Sequence, residues 1–259
     1  MATVELADLS VGYGERTVLE GVAFTAEQGI LVILGPNGCG KSTLLNCISG
    51  YIKPRAGSIL INGKPVASMK RRAIAREVTL VTQEHYPAFG YTVEDMVLMG
   101  RTPYFPSFGL PSRRDRMLAD EAMARVGVSE LRKRPYTELS GGERKLVLIA
   151  MALCQTTNVV LLDEPTSFLD VKNSFSILQL VRSLVREEGK TLIIAMHDVN
   201  QAISCGDEAF LIFDSTRFVK GRIEDIVTEE NLAALYDMKF EIGSTESKKT
   251  YAMPMELTS

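Results

Sequence analysis

A glycine-rich loop, GPNGCGKST, occupies residues 35 to 43 and has the spacing of a phosphate-binding site. It matches G-x-x-x-x-G-K-[ST] and stands between an apolar strand pattern, ILVILG, and a helical pattern, KSTLLNCIS, which is the context such a loop requires. The glycines let backbone N–H groups wrap phosphates, the lysine reaches the β- and γ-phosphates, and the following hydroxyl ligates Mg²⁺. The pattern predicts a nucleotide site formed by Gly35, Pro36, Asn37, Gly38, Cys39, Gly40, Lys41, Ser42 and Thr43.

Two carboxylates, Asp163 and Glu164, follow directly on the apolar run VVLL. A short apolar run of this kind predicts a strand buried on both faces, and ligands of open α/β sheets bind at the carboxyl edge of such strands. One carboxylate suits Mg²⁺ and the other can polarise a water molecule. A strand that ends in acids is unremarkable by itself, so its value as a signal depends on the phosphate loop.

Three further residues are candidates for the same site. Gln83 follows the strand pattern VTLV and His197 follows TLIIAM, so each is expected at the carboxyl edge, near the γ-phosphate, the Mg²⁺ or the attacking water. Tyr13 precedes the phosphate loop by about one hairpin and could stack on an adenine, with core packing as the rival interpretation. His85 lies beyond its strand and is assigned to the surface.

A second segment, LSGGER, places two adjacent glycines just before the helical run ERKLVLIAMALC. Glycine is a poor helix former, so a pair at a helix start indicates that a large group approaches the backbone there. Exposed N–H groups at a helix N-terminus bind anions. The segment therefore predicts a second anion site, and the residues by themselves leave open what it holds.

The pattern of strands and helices divides the chain into three regions. Residues 1–84 combine antiparallel strands, the phosphate loop and a hairpin at Asn62-Gly63; residues 85–154 read as helices, with Thr92 and Ser112 as N-terminal caps; residues 155–259 return to alternating strands and helices and end in a helix and tail. We predict an α/β fold with a P-loop NTPase (RecA-like) core, an N-terminal antiparallel β subdomain and an inserted α-helical subdomain. The last dozen residues are expected to fray.

Composition restricts the class of partner. The formal charge of −3 gives no electrostatic reason to expect nucleic acid, and the basic clusters MKRRAIAR and LRKRPY fit solvated helix faces. No apolar run approaches the roughly 18 residues that span a bilayer, and the start lacks the features of a signal peptide. The four cysteines show no CxxC spacing, so neither a zinc site nor a disulfide frame is indicated. We expect a cytoplasmic protein that reaches a membrane only through a partner.

Taken together, GPNGCGKST, Gln83, LSGGER, VVLLDEP, SFLD and His197 resemble, in order and spacing, the ATPase subunit of ABC transporters over nearly the whole chain. In that family two subunits face each other head to tail. The resemblance implies a homodimer in which Ser140, Gly141 and Gly142 cap the γ-phosphate of ATP that the other copy holds, with the helix dipole adding attraction.

The resemblance also assigns roles within the site. It implies catalytic roles for Lys41, Gln83, Glu164 and His197, with Glu164 orienting the water, and Mg²⁺ ligation by Ser42, Gln83 and Asp163. Asp170 would cross the dimer interface and couple the two sites. This chain has SFLD where SALD is commoner in the family, and the larger Phe168 puts that contact in doubt.

The segment TVEDMVLMGRTPYFPSFG and the C-terminal part look like those of importers for iron–siderophore, haem, cobalamin and sometimes molybdate. This implies a peripheral subunit on the cytoplasmic face of the membrane, a separate permease and, indirectly, a substrate-binding protein. A groove near Gln83, lined by Tyr86, Phe89, Tyr91, Met96 and Met99, would receive the permease, although core packing is an equal alternative for the two methionines.

Three other functions remain open at this point. A freestanding ATPase scaffold, such as that of iron–sulfur cluster assembly, shares every ATP motif but has no membrane partner. An exporter ATPase fits the helical insert less well. A DNA-repair or translation relative would carry long coiled coils or tandem cassettes, and neither pattern is visible in the sequence.

Overall fold

The computed structural model describes residues 2–83, 90–105, 109–247 and 249–255. Its strands are β1 (Val4–Tyr13), β2 (Arg16–Ala26), β3 (Gly29–Leu34), β4 (Ala56–Ile61), β5 (Lys64–Pro65), β6 (Val78–Val81), β7 (Val159–Asp163), β8 (Thr191–Met196), β9 (Glu208–Ile212), β10 (Phe218–Arg222), β11 (Phe240–Ser244) and β12 (Thr250–Pro254). Its helices are α1 (Lys41–Ile48), α2 (Arg71–Glu77), α3 (Val93–Met99), α4 (Arg113–Arg125), α5 (Gly141–Gln155), α6 (Val171–Glu188), α7 (Val199–Cys205), α8 (Ile223–Ile226) and α9 (Glu229–Tyr236).

A six-stranded sheet in the order β10-β9-β3-β8-β7-β6 forms the centre of the fold. Its strands run parallel except for β10, which pairs antiparallel with β9. The central strands read as continuous apolar runs because both faces of the sheet are covered. In β3, for example, Val32 and Leu34 face one apolar cluster while Leu31 and Ile33 face the other.

A second sheet of four antiparallel strands, in the order β2-β1-β4-β5, covers one of these faces together with α1. The hairpin predicted at Asn62-Gly63 joins β4 and β5, and both residues have positive φ, 52° and 71°. That is the backbone requirement of a tight hairpin turn. The α/β fold with an antiparallel β subdomain and a helical insert is therefore confirmed, whereas the exact three-way division of the chain stays a prediction.

In the helical insert α3 and α4 pack on α5, and α5 contacts β6 of the central sheet, whose other face is also covered by α6 and α7. Thr92 caps α3 and Ser112 caps α4, as the sequence predicted, and each forms a complete capping box. Gly100 ends α3 where a Cβ would lie 2.2 Å from the Met151 carbonyl oxygen, so only glycine allows α3 and α5 to approach this closely.

A buried arginine binds the insert together. Arg101 is only 6% exposed, its Nε lies 2.8 Å from Asp115 Oδ1 in α4, and its guanidinium also donates to the Cys154 carbonyl at 3.0 Å and the Thr156 hydroxyl at 2.9 Å. One side chain thus satisfies a buried carboxylate and an otherwise unpaired carbonyl at the end of α5.

The predicted permease groove is wrong for Met96, and three other residues considered for this region lie outside the described part of the chain. Met96 does not line a surface groove, because it is completely buried in the core of the insert, whereas Tyr91 and Met99 are partly buried at its margin. A helix surrounded by packed neighbours buries more than one stripe, which the sequence could not reveal. His85, Tyr86 and Phe89 lie outside the described residues.

The expectation that the last dozen residues fray is wrong for residues 250–254, which form β12 and pair antiparallel with β11. Residues 248 and 256–259 lie outside the described part of the chain. The Asn200 side chain of α7 accepts from the Ala252 N–H at 2.8 Å and donates to the Ala252 carbonyl at 3.0 Å. This reciprocal pair anchors the β11–β12 hairpin on α7. Among the described residues, none of the helices is both long enough and apolar enough to cross a bilayer.

Candidate nucleotide-binding site

The phosphate loop joins β3 to α1 and has the conformation that its glycines predict. Gly38 and Gly40 have φ values of 80° and 110°, which side chains with a Cβ rarely adopt, and Gly40 directly precedes the helix. Lys41 is 6% exposed, and its Nζ donates to the carbonyls of Gly35 at 2.7 Å and Pro36 at 3.0 Å. The loop therefore curls around the ammonium and keeps a positive charge at the start of α1.

Glu164 lies at the meeting point of three strand ends. Its carboxylate accepts from Gln83 Nε2 at 3.2 Å and lies 3.3 Å from His197 Nδ1. Its backbone has a φ of 48° and is held by an N–H bond to the Ala195 carbonyl of β8 at 3.0 Å. A left-handed conformation is strained for a non-glycine residue and persists only where the surroundings enforce it. The structure thus brings Gln83, Glu164 and His197 together, as their positions at the carboxyl ends of neighbouring strands predicted.

Asp163 has the features expected of a cation ligand. It is 6% exposed, and its Oδ1 is buried with no hydrogen-bond partner among the described residues. Burial raises its pKa, and the charge of Glu164 adds to this, although a hydrogen bond from Ser42 and the charges of Lys145 and Lys41 oppose the change. A buried, unpartnered carboxylate oxygen beside a hydroxyl matches the all-oxygen ligand set that Mg²⁺ prefers.

Within the described residues, no cluster of three or more histidine, cysteine, aspartate or glutamate side chains could hold a metal by itself. An ion at Asp163 would therefore need the hydroxyl, an amide and oxygens of a bound phosphate to complete its shell, as is usual for Mg²⁺. Ser42 and Gln83 both face the same cavity and could supply the first two.

An open cavity of about 550 Å³ lies over these groups. It is lined by Tyr13, Arg16, Val18, Asn37, Gly38, Gly40, Lys41, Ser42, Thr43, Gln83, Glu164 and His197. Tyr13 is 52% exposed, so its ring is not part of the core and is free to stack on a base. Arg16 and Val18, at the start of β2, were missed in the sequence because neither belongs to a recognisable motif.

The segment LSGGER forms an exposed helix start away from that cavity. Ser140 caps α5 in a capping box: its hydroxyl accepts from the Glu143 N–H at 3.3 Å, and the Glu143 carboxylate accepts from the Ser140 N–H at 2.8 Å. The bonds that the Glu143 carboxylate accepts from the Ser140 N–H and the Ser140 hydroxyl lower the pKa of Glu143. Gly141 and Gly142 lie against the 167–170 turn, with Phe168 Cβ 3.6 Å from the position of a Cβ on Gly141.

The SFLD turn exposes Phe168 and Asp170, whereas Ser167 and Leu169 are half-buried. Phe168 is 67% exposed and has a φ of 66°, and Asp170 caps α6 by accepting from the Asn173 N–H at 2.7 Å. Among the cavity-lining residues, none comes from the 139–144 or 167–170 segments. The chain therefore presents a phosphate cradle in this cavity and a capped helix start outside it. The SFLD turn lies beside Glu164, because the Ser167 hydroxyl donates to the Glu164 carbonyl at 2.8 Å and Phe168 lines a neighbouring cavity with Glu164 and His197.

A family model of ABC transporters matches residues 19–167, which include the phosphate loop, Gln83, the LSGGER helix start and Glu164. The chain belongs to the ABC transporter family. This cassette is 35% identical over 239 residues to the achromobactin transport ATP-binding protein CbrD of Dickeya dadantii, which covers 92% of this chain and 89% of that protein. It is also 35% identical over 243 residues to the iron(3+)-hydroxamate import ATP-binding protein FhuC of Bacillus subtilis, covering 93% and 90% of the two chains.

Solved structures support the same family. A chain of a metal-chelate type ABC transporter in an inward-facing conformation is 30% identical to this cassette, with a TM-score of 0.86 over 100% of this chain and 99% of its own length. The cassette MJ0796, described as a dimer in a post-hydrolysis state bound to ADP and Pi, is 26% identical, with a TM-score of 0.74 over 85% of this chain and 98% of that one. This cassette is accordingly an ATP-binding protein and an ATPase, as the sequence predicted.

Proposed function

We propose that this cassette is the ATP-hydrolysing subunit of a membrane importer, that it acts as a head-to-tail homodimer, and that it drives a separate permease for a metal chelate. The observation that supports the dimer is that the Ser140 helix start does not line the cavity formed by the phosphate loop of the same chain. The cavity that contains Lys41 is open. A second copy in head-to-tail orientation would bring Ser140, Gly141 and Gly142 to the open side of a γ-phosphate bound there.

The hydrolytic step follows from the three groups at the sheet edge. Glu164 accepts a hydrogen bond from the attacking water and orients it in line with the γ-phosphate. His197 and Gln83 fix the Glu164 carboxylate through the contacts at 3.3 Å and 3.2 Å and can turn toward the phosphate when it is bound. Lys41 neutralises charge on the transferring phosphoryl group.

The Mg²⁺ that accompanies ATP in such sites would be held by Ser42, Asp163 and Gln83. Its contribution when bound is to neutralise charge that develops on the phosphate oxygens. The unpartnered Asp163 Oδ1 supports this assignment, because a buried polar atom without a partner is costly unless a ligand completes it. Tyr13 stacks on the base, and Asp170 lies at the interface between the copies.

The choice of cargo class rests on the relatives. CbrD and FhuC are achromobactin and iron(3+)-hydroxamate transport proteins, and a cobalamin import protein, BtuD of Halobacterium salinarum, is 37% identical over 93% of this chain and 61% of that protein. We extend metal-chelate import to this cassette, with a peripheral location on the cytoplasmic face and a substrate-binding protein as an indirect partner. Recovery of a multi-span permease with the detergent-solubilised cassette would separate this function from a freestanding scaffold.

Replacement of Glu164 by glutamine tests the hydrolytic role. We expect Glu164→Gln to bind ATP normally and to lower kcat by about 10²–10⁴-fold, the usual contribution of a positioned base. It should also trap an ATP-bound dimer that size-exclusion chromatography resolves. The matched control is Glu208→Gln, which breaks only the bridge to Lys220 at the far end of β9. Near-normal turnover of Glu164→Gln, or hydrolysis by a monomer that is indifferent to dilution, would contradict the proposal.

A further inference from the structure

One buried charge lies beneath the candidate site without belonging to any motif found in the sequence. Lys145, in the second turn of α5, is only 2% exposed. Its Nζ donates to the carbonyls of Asp163 at 3.1 Å and Thr82 at 3.3 Å, and reaches the carbonyl of Gln83 at 3.5 Å. These acceptors end two neighbouring parallel strands, β6 and β7. The ammonium therefore connects the LSGGER helix to the backbone from which Gln83 and Asp163 project.

The chemistry of the position is unusual for a structural side chain. Lys145 lies on the helix face that also carries Leu148, Ile149 and Ala152, all buried, so an apolar residue would satisfy the packing. Burial of an ammonium is costly unless its hydrogen bonds are all satisfied, and desolvation lowers the pKa of Lys145 to about 8, although the charges of Asp163 and Glu164 oppose this. Three carbonyl acceptors match the three N–H bonds of an ammonium.

The bridge from Lys145 to the strand ends couples the position of the α5 helix start to the positions of β6 and β7. Lys145 follows Ser140 by five residues, so about 7.5 Å of rigid helix separates the bridge from the helix start. A shift of Ser140 toward a partner's phosphate therefore moves the ammonium and, with it, the carbonyl ends of β6 and β7. Gln83 hydrogen bonds to Glu164, so the position of the candidate base depends on the same bridge.

We propose that Lys145 is a positioning residue, which holds Gln83 and Glu164 in register and links the LSGGER helix start to the hydrolytic edge of the same protomer. This inference rests on the proposed roles of Glu164 and Ser140. Lys145 does not line the nucleotide cavity. Its loss should therefore affect turnover and spare nucleotide binding.

Lys145→Met tests this against a matched buried lysine. Lys190 is 8% exposed and donates to the Thr157 carbonyl at 2.6 Å, at the opposite end of the sheet, so Lys190→Met removes a comparable bridge away from the site. We expect Lys145→Met to lower kcat by about 10- to 100-fold, as expected for a displaced reacting group, with the affinity for a fluorescent ATP analogue within about twofold of wild type. Lys190→Met should lower the melting temperature and leave kcat unchanged.

Two further variants separate positioning from simple destabilisation. Lys145→Gln keeps two N–H donors, enough to bridge one carbonyl on each strand, and should recover part of the lost kcat. In a Gln83→Ala background, Lys145→Met should cost less than it does in the wild type, because the group it positions is gone. Fully additive losses, no recovery by glutamine, or equal kcat in the two methionine variants would overturn the inference. An inactive Glu164→Gln beside a fully active Lys145→Met would refute only the role of Lys145, whereas an active Glu164→Gln would refute the proposed function itself.

Discussion

Replacement of Arg101 by methionine should destabilise the helical insert strongly, and the structure allows the size of the effect to be worked out. The change removes a guanidinium that is 6% exposed and leaves the Asp115 carboxylate without its ion-pair partner at 2.8 Å. Loss of one member of a buried pair costs about 3–5 kcal/mol because the other charge stays buried. The carbonyl of Cys154 and the stack on Tyr104, 3.9 Å from the ring centroid, are lost as well.

A loss of this size is easy to measure by thermal unfolding. For a domain of this size, about 3–5 kcal/mol corresponds to a decrease in Tm of roughly 6–20 °C. The exposed Arg114, next to Asp115 in α4, provides the control, and Arg114→Met should leave the Tm within about 1–2 °C because surface substitutions have small effects. The double variant Arg101→Met with Asp115→Asn should be more stable than the sum of the single losses predicts, since no uncompensated carboxylate remains.

The pH dependence gives an independent check of the cause. Burial alone would raise the pKa of Asp115, but hydrogen bonds from Ser112 and Arg101 and the charge of Arg101 together lower it. A lowered folded-state pKa stabilises the fold at neutral pH, and this contribution disappears as the pH falls through the folded-state pKa. The stability gap between wild type and Arg101→Met should therefore narrow in acid. A Tm decrease no larger than that of Arg114→Met, or a gap that widens in acid, would refute the reasoning.

Two other substitutions test separate parts of the structure. Glu143→Gln keeps the capping box at Ser140 but removes a negative charge, held by a lowered pKa, beside the proposed site for a partner's phosphate. The ATP concentration for half-maximal dimerisation, measured by light scattering, should therefore fall severalfold, and an unchanged or higher concentration contradicts this. Asp237→Gly should stabilise the protein by about 0.5–1 kcal/mol in urea unfolding, because Asp237 ends α9 with a φ of 54°, a conformation that glycine adopts without strain. A variant less stable than the wild type would contradict this prediction.

Local signals predicted the parts of the fold that local physics determines. The phosphate loop, the Asn62-Gly63 turn and the caps at Thr92 and Ser112 each depend on residues within a few positions of one another, and the structure has all of them. The capping box formed by Ser140 and Glu143 follows the same S-x-x-E rule. It went unnoticed because the adjacent glycines in that segment already suggested another function.

Features that depend on distant partners were predicted poorly. The pattern around Met96 is equally consistent with a surface stripe and with a core position, and only the packing of α4 and α5 decides that it is buried. The order of the C-terminal strand depends on Asn200, about fifty positions earlier in the chain, whose amide pairs with the Ala252 backbone. Neither the packing around Met96 nor the pairing of Asn200 with Ala252 can be predicted from the residues next to them in the sequence.

Lys145 lies between these two cases. Its helical register relative to Leu148, Ile149 and Ala152 is readable from the sequence, and a lysine in the apolar register of an amphipathic helix needs an explanation because an unpaired buried charge is prohibitively costly. The identity of its acceptors is not readable, since Thr82, Gln83 and Asp163 become neighbours only when β6 and β7 pair. A charged residue at an apolar position of a helix therefore indicates that it has a polar partner in the fold, but the sequence pattern does not identify that partner. In this protein the partner is the backbone beneath the candidate catalytic groups, which is why the lysine deserves a functional test as well as a structural one.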